Sequence, residues 1–170
     1  AERAADQRTL LAAAQVGVLK RMLVLDTRPK DEAGRRYNYD EMSELEQAID
    51  QPLVVINPLI KKGEGKTTFD EGCLSIPGFF ETVERYDKIE LQYQDVTGKT
   101  HTIWVDGLLA ICIQHEMDHL EGKLFIDRLS FMKSKKIKDQ IKKFGYVSKD
   151  DDEDEAPASE RRKSKDKVQV

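Results

Sequence analysis

Cysteine is nearly missing from this 170-residue chain, with Cys73 and Cys112 the only two. Two are too few for the disulfide framework of a small secreted domain, and no amino-terminal apolar run resembles a signal peptide, so a cytoplasmic, reducing location is expected. No apolar stretch approaches the length of a membrane span, so no membrane partner is expected either. A strong excess of charge is also lacking. The 28 basic and 32 acidic residues leave a net charge of -4, with the acidity concentrated in an insertion and a carboxyl-terminal tail. No global steering of a nucleic acid, and no reading of a nucleic-acid sequence, is therefore expected. What remains is a length suited to one domain with a sizeable core.

Against that background His115-Glu116-Met117-Asp118-His119 carries most of the chemistry. On an α-helix the two histidines stand one turn apart on the same face, within reach of one metal ion, with Glu116 beside them as a proton carrier. A pair of histidines at this spacing also occurs on solvated helices. Here Leu108, Leu109, Ile111, Cys112 and Ile113 make the preceding turns apolar, which predicts a buried helix, with Asp106 capping its first turn and Gly122 stopping it after Leu120. Glu71-Gly72-Cys73-Leu74-Ser75 lies upstream. Cys73, His115 and His119 together make a borderline-soft ligand set suited to zinc or ferrous iron. Three protein ligands leave a fourth position open, where water can lose its proton near neutral pH. Of the two cysteines Cys73, beside a glycine, is the expected ligand, and Cys112 on the apolar helix face is expected to be a small core residue.

Those two segments, together with Ala12-Ala13-Ala14-Gln15, resemble the three signature motifs of the bacterial peptide deformylases, in the family's order, from about Leu11 to about Lys143. The resemblance implies an α+β fold with antiparallel or mixed sheets packed around a central metal-binding helix. It implies hydrolysis of the N-formyl group from formyl-methionine on nascent peptides, with release of formate. Cys73, His115 and His119 would bind one divalent metal, ferrous iron (Fe2+) natively with Zn2+, Ni2+ or Co2+ as substitutes. Glu116 would serve as general base and then acid, while the Gln15 side-chain amide and the Leu74 backbone N–H would stabilise the oxyanion. Leu74, Ile111, Cys112 and Phe69 match the lining of the methionine pocket, and such a pocket reads the residues beyond methionine only weakly.

The first motif of that family runs Gly-x-Gly-x-Ala-Ala-x-Gln, and Arg8 and Leu10 stand at its two glycine positions. A helical segment that usually precedes it has no counterpart, and the abrupt start is read as a truncated chain in preference to a diverged paralogue or a variant whose backbone still fits. Two other functions compete. A zinc metalloprotease shares the His-Glu-x-x-His pattern, yet no histidine follows His119 to serve as a third ligand. A catalytically weakened metal-binding or ribosome-associated protein would retain the ligands after losing the glycines.

The remaining organisation reads as one catalytic domain over 1–147 and a disordered charged tail over 148–170. Met22 to Asp26 and Leu53 to Asn57 read as buried strands, the second stopped by Pro58. Lys88 to Gln94 and Thr100 to Val105 read as a hairpin turning at Asp95-Val96-Thr97-Gly98, with His101 an ordinary exposed strand residue and no ligand. An insertion over about 27–51 has Ser43 and Glu46 at capping-box spacing ahead of a short helix, and is expected to be a solvated loop in preference to a lid or partner surface near the site. After Leu124-Phe125-Ile126-Asp127, Ile137, Ile141 and Phe144 recur at helical spacing among Lys133, Lys135, Lys136, Lys138, Lys142 and Lys143. That basic helix could contact ribosomal RNA through its phosphates, as in some deformylases, or simply be solvated.

Overall fold

Alternation of apolar and polar residues along Lys88–Gln94 produces a strand with Ile89, Leu91 and Tyr93 turned inward, and this pattern organises the main sheet. The structure is a computed structural model that describes residues 9–17, 20–73 and 75–145. Arg8, Leu74 and the charged tail over 148–170 lie outside the described residues. The described part falls into two compact units, one drawn from residues up to Thr68 together with Glu84–Lys123, the other from Phe69–Val83 and from Leu124 onward.

The first unit is built on a five-stranded antiparallel sheet. Its strands are β1 (Thr9–Ala12), β2 (Met22–Asp26), β3 (Leu53–Glu64), β6 (Lys88–Gln94) and β7 (Thr100–Asp106), lying side by side in that order. Leu23, Leu25, Val55, Ile89, Leu91 and Val105 are fully buried, each contributing about 1.5–3 kcal/mol of apolar burial. Helix α2 (Gly107–Leu120) packs on β1, β2 and β7. Strand β3 runs on past Pro58, contrary to the expected stop. The ladder shifts register between Ile56 and Leu59, so the proline sits where no donor is needed. Asn57 takes a positive φ of 51° there, and its side-chain amide bonds Gln94 at 2.8 Å.

Strands β4 (Thr67–Cys73) and β5 (Ile76–Arg85) form a two-stranded sheet. In the second unit, Cys73, Ile76, Val83, Phe125, Ile126 and Ile137 share one core. Helix α3 (Phe131–Phe144) is capped by Ser130, whose hydroxyl accepts the Lys133 N–H, and gives way to Gly145. It is the expected basic helix, held by Lys133 to Glu81 and Lys138 to Asp127 at 2.7 and 2.9 Å.

Much of the insertion is exposed, as a solvated loop would be, but it is tied down at particular residues. Asp26 at the end of β2 grips Arg28 at 2.9 Å and Arg36 at 3.3 Å, and Thr27 N–H donates to the Gln51 side chain at 2.8 Å, closing the neck of the excursion. Burial opposes ionisation of Asp26, but the bonds from Arg28 and the Arg36 charge hold its carboxyl below the usual range. Helix α1 (Glu44–Gln47) begins at Ser43, which accepts the Glu46 N–H as the spacing predicted. The Glu46 side chain does not return to that serine. It is fully buried, and accepts from Thr27 Oγ1 at 3.0 Å and Leu109 N at 3.2 Å.

Burial pushes the Glu46 carboxyl above its ordinary 4.5, with the Asp106 charge adding and the hydrogen bonds opposing. A raised folded-state value means that the folded protein binds this proton better than the unfolded chain, so the associated stability is lost as pH climbs from 4.5 through that value. Compared with Glu46→Gln, the natural protein is expected to lose thermal stability across that window. Melting curves of the two recorded at successive pH values check this, and a constant difference in Tm would contradict it.

Candidate active site

Helix α2 is buried over Leu109–Asp118, with polar Gln114, His115, Glu116 and Asp118 inside that run. Such burial is tolerable only when each polar group is satisfied. Gln114 donates to the Tyr86 carbonyl at 2.9 Å and accepts the Tyr86 N–H at 3.0 Å, so its amide joins the helix to the chain entering β6. Asp118 pairs with Arg85 at 2.6 Å, both side chains being almost wholly shielded. These two contacts fix the rotation of the helix. His115 is buried and His119 half-buried, and their rings lie 4.9 Å apart at 80°. Glu116 is buried between them in sequence.

At the helix start Asp106 occupies the capping position but makes no side-chain cap bond, contrary to expectation. Its carboxylate instead accepts the Ser43 hydroxyl. Gly122, with φ 68°, follows the last turn as predicted.

Cys73 ends β4 and is buried, and its sulfur accepts the Ser75 N–H at 3.4 Å. Gly72 beside it is there for space, since a Cβ would lie 2.6 Å from the Phe80 ring. Among the described residues, one group is close enough to hold a metal ion: the ligand atoms of Cys73, His115 and His119 all lie within 4.8 Å of one another. A thiolate with two imidazoles fits a zinc-like or ferrous ion.

A family model for polypeptide deformylases matches residues 2–135. The chain belongs to the peptide deformylase family. It is 44% identical over 133 residues to the peptide deformylase of Alkalilimnicola ehrlichii, covering 78% of this chain and 65% of that one. It is 45% identical over 141 residues to that of Erythrobacter litoralis, with 78% and 73% covered. The chain thus spans about two thirds to three quarters of those relatives' length. Among solved structures, the peptide deformylase of Ehrlichia chaffeensis superposes with a TM-score of 0.61 at 39% identity, covering 82% of this chain and 74% of that one. One from Synechococcus elongatus in complex with actinonin gives 0.59 at 41%, with 81% and 66% covered. The deformylase fold, α+β with antiparallel sheets, agrees with the one expected.

The other residues that the sequence resemblance singles out lie on several elements. Gln15 is exposed on a 3-10 turn, Ala13–Val16, and its side-chain Oε1 accepts the Ala12 N–H at 2.8 Å. Leu10, at a glycine position of the family motif, lies in β1 opposite Leu25. Phe69 is half-buried on β4, while Ile111 and Cys112 are buried in α2. His101 pairs with Asp95 at 2.7 Å and stacks on Tyr93 at 5.3 Å, apart from the other two histidines in chemistry. Sequence reasoning missed the supporting residues Arg85, Gln114 and Glu46. Gln114 directly precedes the two-histidine segment and Glu46 stood in a capping pattern, but nothing local marked Arg85.

Removing Arg85 leaves Asp118 as a buried charge without this guanidinium. Arg85→Met is expected to cost about 3–5 kcal/mol in denaturant unfolding, and a loss below about 1 kcal/mol would show that the pair does not hold the helix.

Proposed function

We propose that the chain hydrolyses the N-formyl group of formyl-methionine at the amino terminus of newly made proteins, in the cytoplasm. The observation that carries this reading is a buried Glu116 flanked by two histidines on one helix, with a cysteine completing a three-donor set. Cys73, His115 and His119 would hold one divalent ion, Fe2+ natively, with Zn2+, Ni2+ or Co2+ able to replace it. When bound, that ion supplies a Lewis acid that makes water a usable nucleophile near neutral pH.

Glu116 takes the proton of the attacking water as oxygen bonds to the formyl carbon. It then delivers that proton to the departing amide nitrogen as the carbon–nitrogen bond breaks, giving formate and a free amine. Negative charge collects on the formyl oxygen in between, and the Gln15 amide NH2 and the Leu74 N–H stabilise it. Anchoring of the Gln15 oxygen by Ala12 supports this role, because it fixes which end of the amide remains to donate. Phe69, Leu74, Ile111 and Cys112 supply the apolar surface for methionine.

Helix α3 would touch the ribosome through its lysines. Support comes from exposed Lys135, Lys136, Lys142 and Lys143, while Lys133 and Lys138 already face carboxylates. A second reading, a metal-holding protein of weakened activity, is favoured by Leu10, whose side chain stands where the family has glycine.

Formate release from formyl-Met-Ala-Ser, assayed anaerobically with ferrous or nickel ion, separates the two. Turnover is expected, and its absence in a metal-loaded protein would favour the silent binder. Glu116→Gln is expected to keep metal while kcat falls by about 10²–10⁴-fold. Cys73→Ser is expected to weaken or exchange the metal, read by metal analysis after dialysis. Wild-type turnover by Glu116→Gln would refute the assignment of the proton carrier.

A further inference from the structure

We propose that Glu46, carried by the inserted segment, is a positioning residue for this reaction: it closes the amino end of α2 and thereby fixes where His115, Glu116 and His119 stand. The proposal rests on the deformylase reading for its consequence in turnover, though not for its geometry.

The first turn of a helix presents backbone N–H groups with no partner in the helix itself. In α2 the usual device is unused, because Asp106 makes no side-chain cap bond. Glu46 substitutes for it from a distant part of the chain. One of its carboxylate oxygens accepts the Leu109 N–H at 3.2 Å, and an acidic group there also suits the positive end of the helix dipole. The carboxylate is fully buried and held from other sides by the Thr27 hydroxyl at 3.0 Å and by Tyr39, whose hydroxyl lies 3.3 Å from both oxygens.

Two further features fit the same purpose. Gly107 opens the helix with φ 61°, and a Cβ on it would lie 2.6 Å from Glu46 Oε2, so the carboxylate occupies the space the glycine leaves. Ser43 accepts the Glu46 N–H at 2.9 Å and donates to Asp106, tying α1 and the α2 start to one hydroxyl. An excursion on the surface of a domain has no packing need for a fully buried carboxylate. A clamp on the helix that bears both histidines gives it one. His115 lies six positions beyond Leu109, about 9 Å along a stiff helix, and a misplacement of about 1 Å at a reacting group can cost about 10²-fold in rate.

Cobalt binding by the full chain tests this without requiring turnover, since the visible spectrum of the ion reports the arrangement of its ligands. Glu46→Ala is expected to change that spectrum and weaken cobalt retention, and with formyl-Met-Ala-Ser to lower kcat far more than it changes KM. Glu46→Gln, which keeps an acceptor oxygen for Leu109, is expected to restore most of the spectrum and of kcat. A merely structural role would lower Tm and leave the cobalt spectrum of the folded protein unchanged. If Glu46→Ala does not fold, the milder Ser43→Ala, which unhooks the helix carrying Glu46, is expected to shift the spectrum in the same direction. Spectra and cobalt affinity equal to wild type in every variant that folds overturn the proposal. Absent formate release from the wild type would instead count against the deformylase reading, leaving the cobalt comparison valid.

Discussion

A helix that is buried over ten consecutive residues, from Leu109 to Asp118, must satisfy its polar groups from inside the protein. That constraint governs the first unit. Apolar residues on α2 secure it to the sheet, but they cannot set its rotation or height, because hydrophobic contact is non-directional. Direction comes from hydrogen bonds: Gln114 to the Tyr86 backbone, Asp118 to Arg85, and Leu109 to Glu46. These three fall near the middle, end and start of the helix. Two imidazoles and a carboxylate are thereby held in a fixed orientation before any ligand arrives, which is the condition for cheap catalysis.

The cysteine is supported differently. Cys73 belongs to a strand whose core partners are Ile76, Val83, Phe125, Ile126 and Ile137, and its neighbour Gly72 lies flush under Phe80. Side chains on strands and helices are more closely controlled than those on loops. Of the expected active-site residues, Gln15 alone among those described sits on an exposed turn, and there the Ala12 N–H restricts its amide.

The sequence reading was most successful where pattern and chemistry agree locally. Both ends of α2, the extent of β2, the β6–β7 hairpin and the short helix after Ser43 follow from periodicity, caps and turn residues. It failed where distant parts decide. Asp106 carries the right residue type for a cap, yet Ser43 captures its carboxylate. Pro58 looks like a strand terminator, but a register shift allows β3 to continue. Arg85 follows Glu84 and precedes Tyr86 in a run that looks like surface strand, and its Asp118 partner, 33 residues on, contributes to making burial tolerable. The insertion is rich in charge, so it reads as solvated, although Glu46 and Thr27 are fully buried within it. Strands β4 and β5, whose burial pattern is irregular, carry no clean alternation to announce them.

X-ray absorption at the zinc edge of zinc-loaded protein tests the central claim most directly, because it counts the atoms that surround the ion. One sulfur and two imidazole nitrogens, with the remaining position filled by a light atom from solvent, is the predicted result. A spectrum without sulfur, or one requiring four protein donors, would contradict the account.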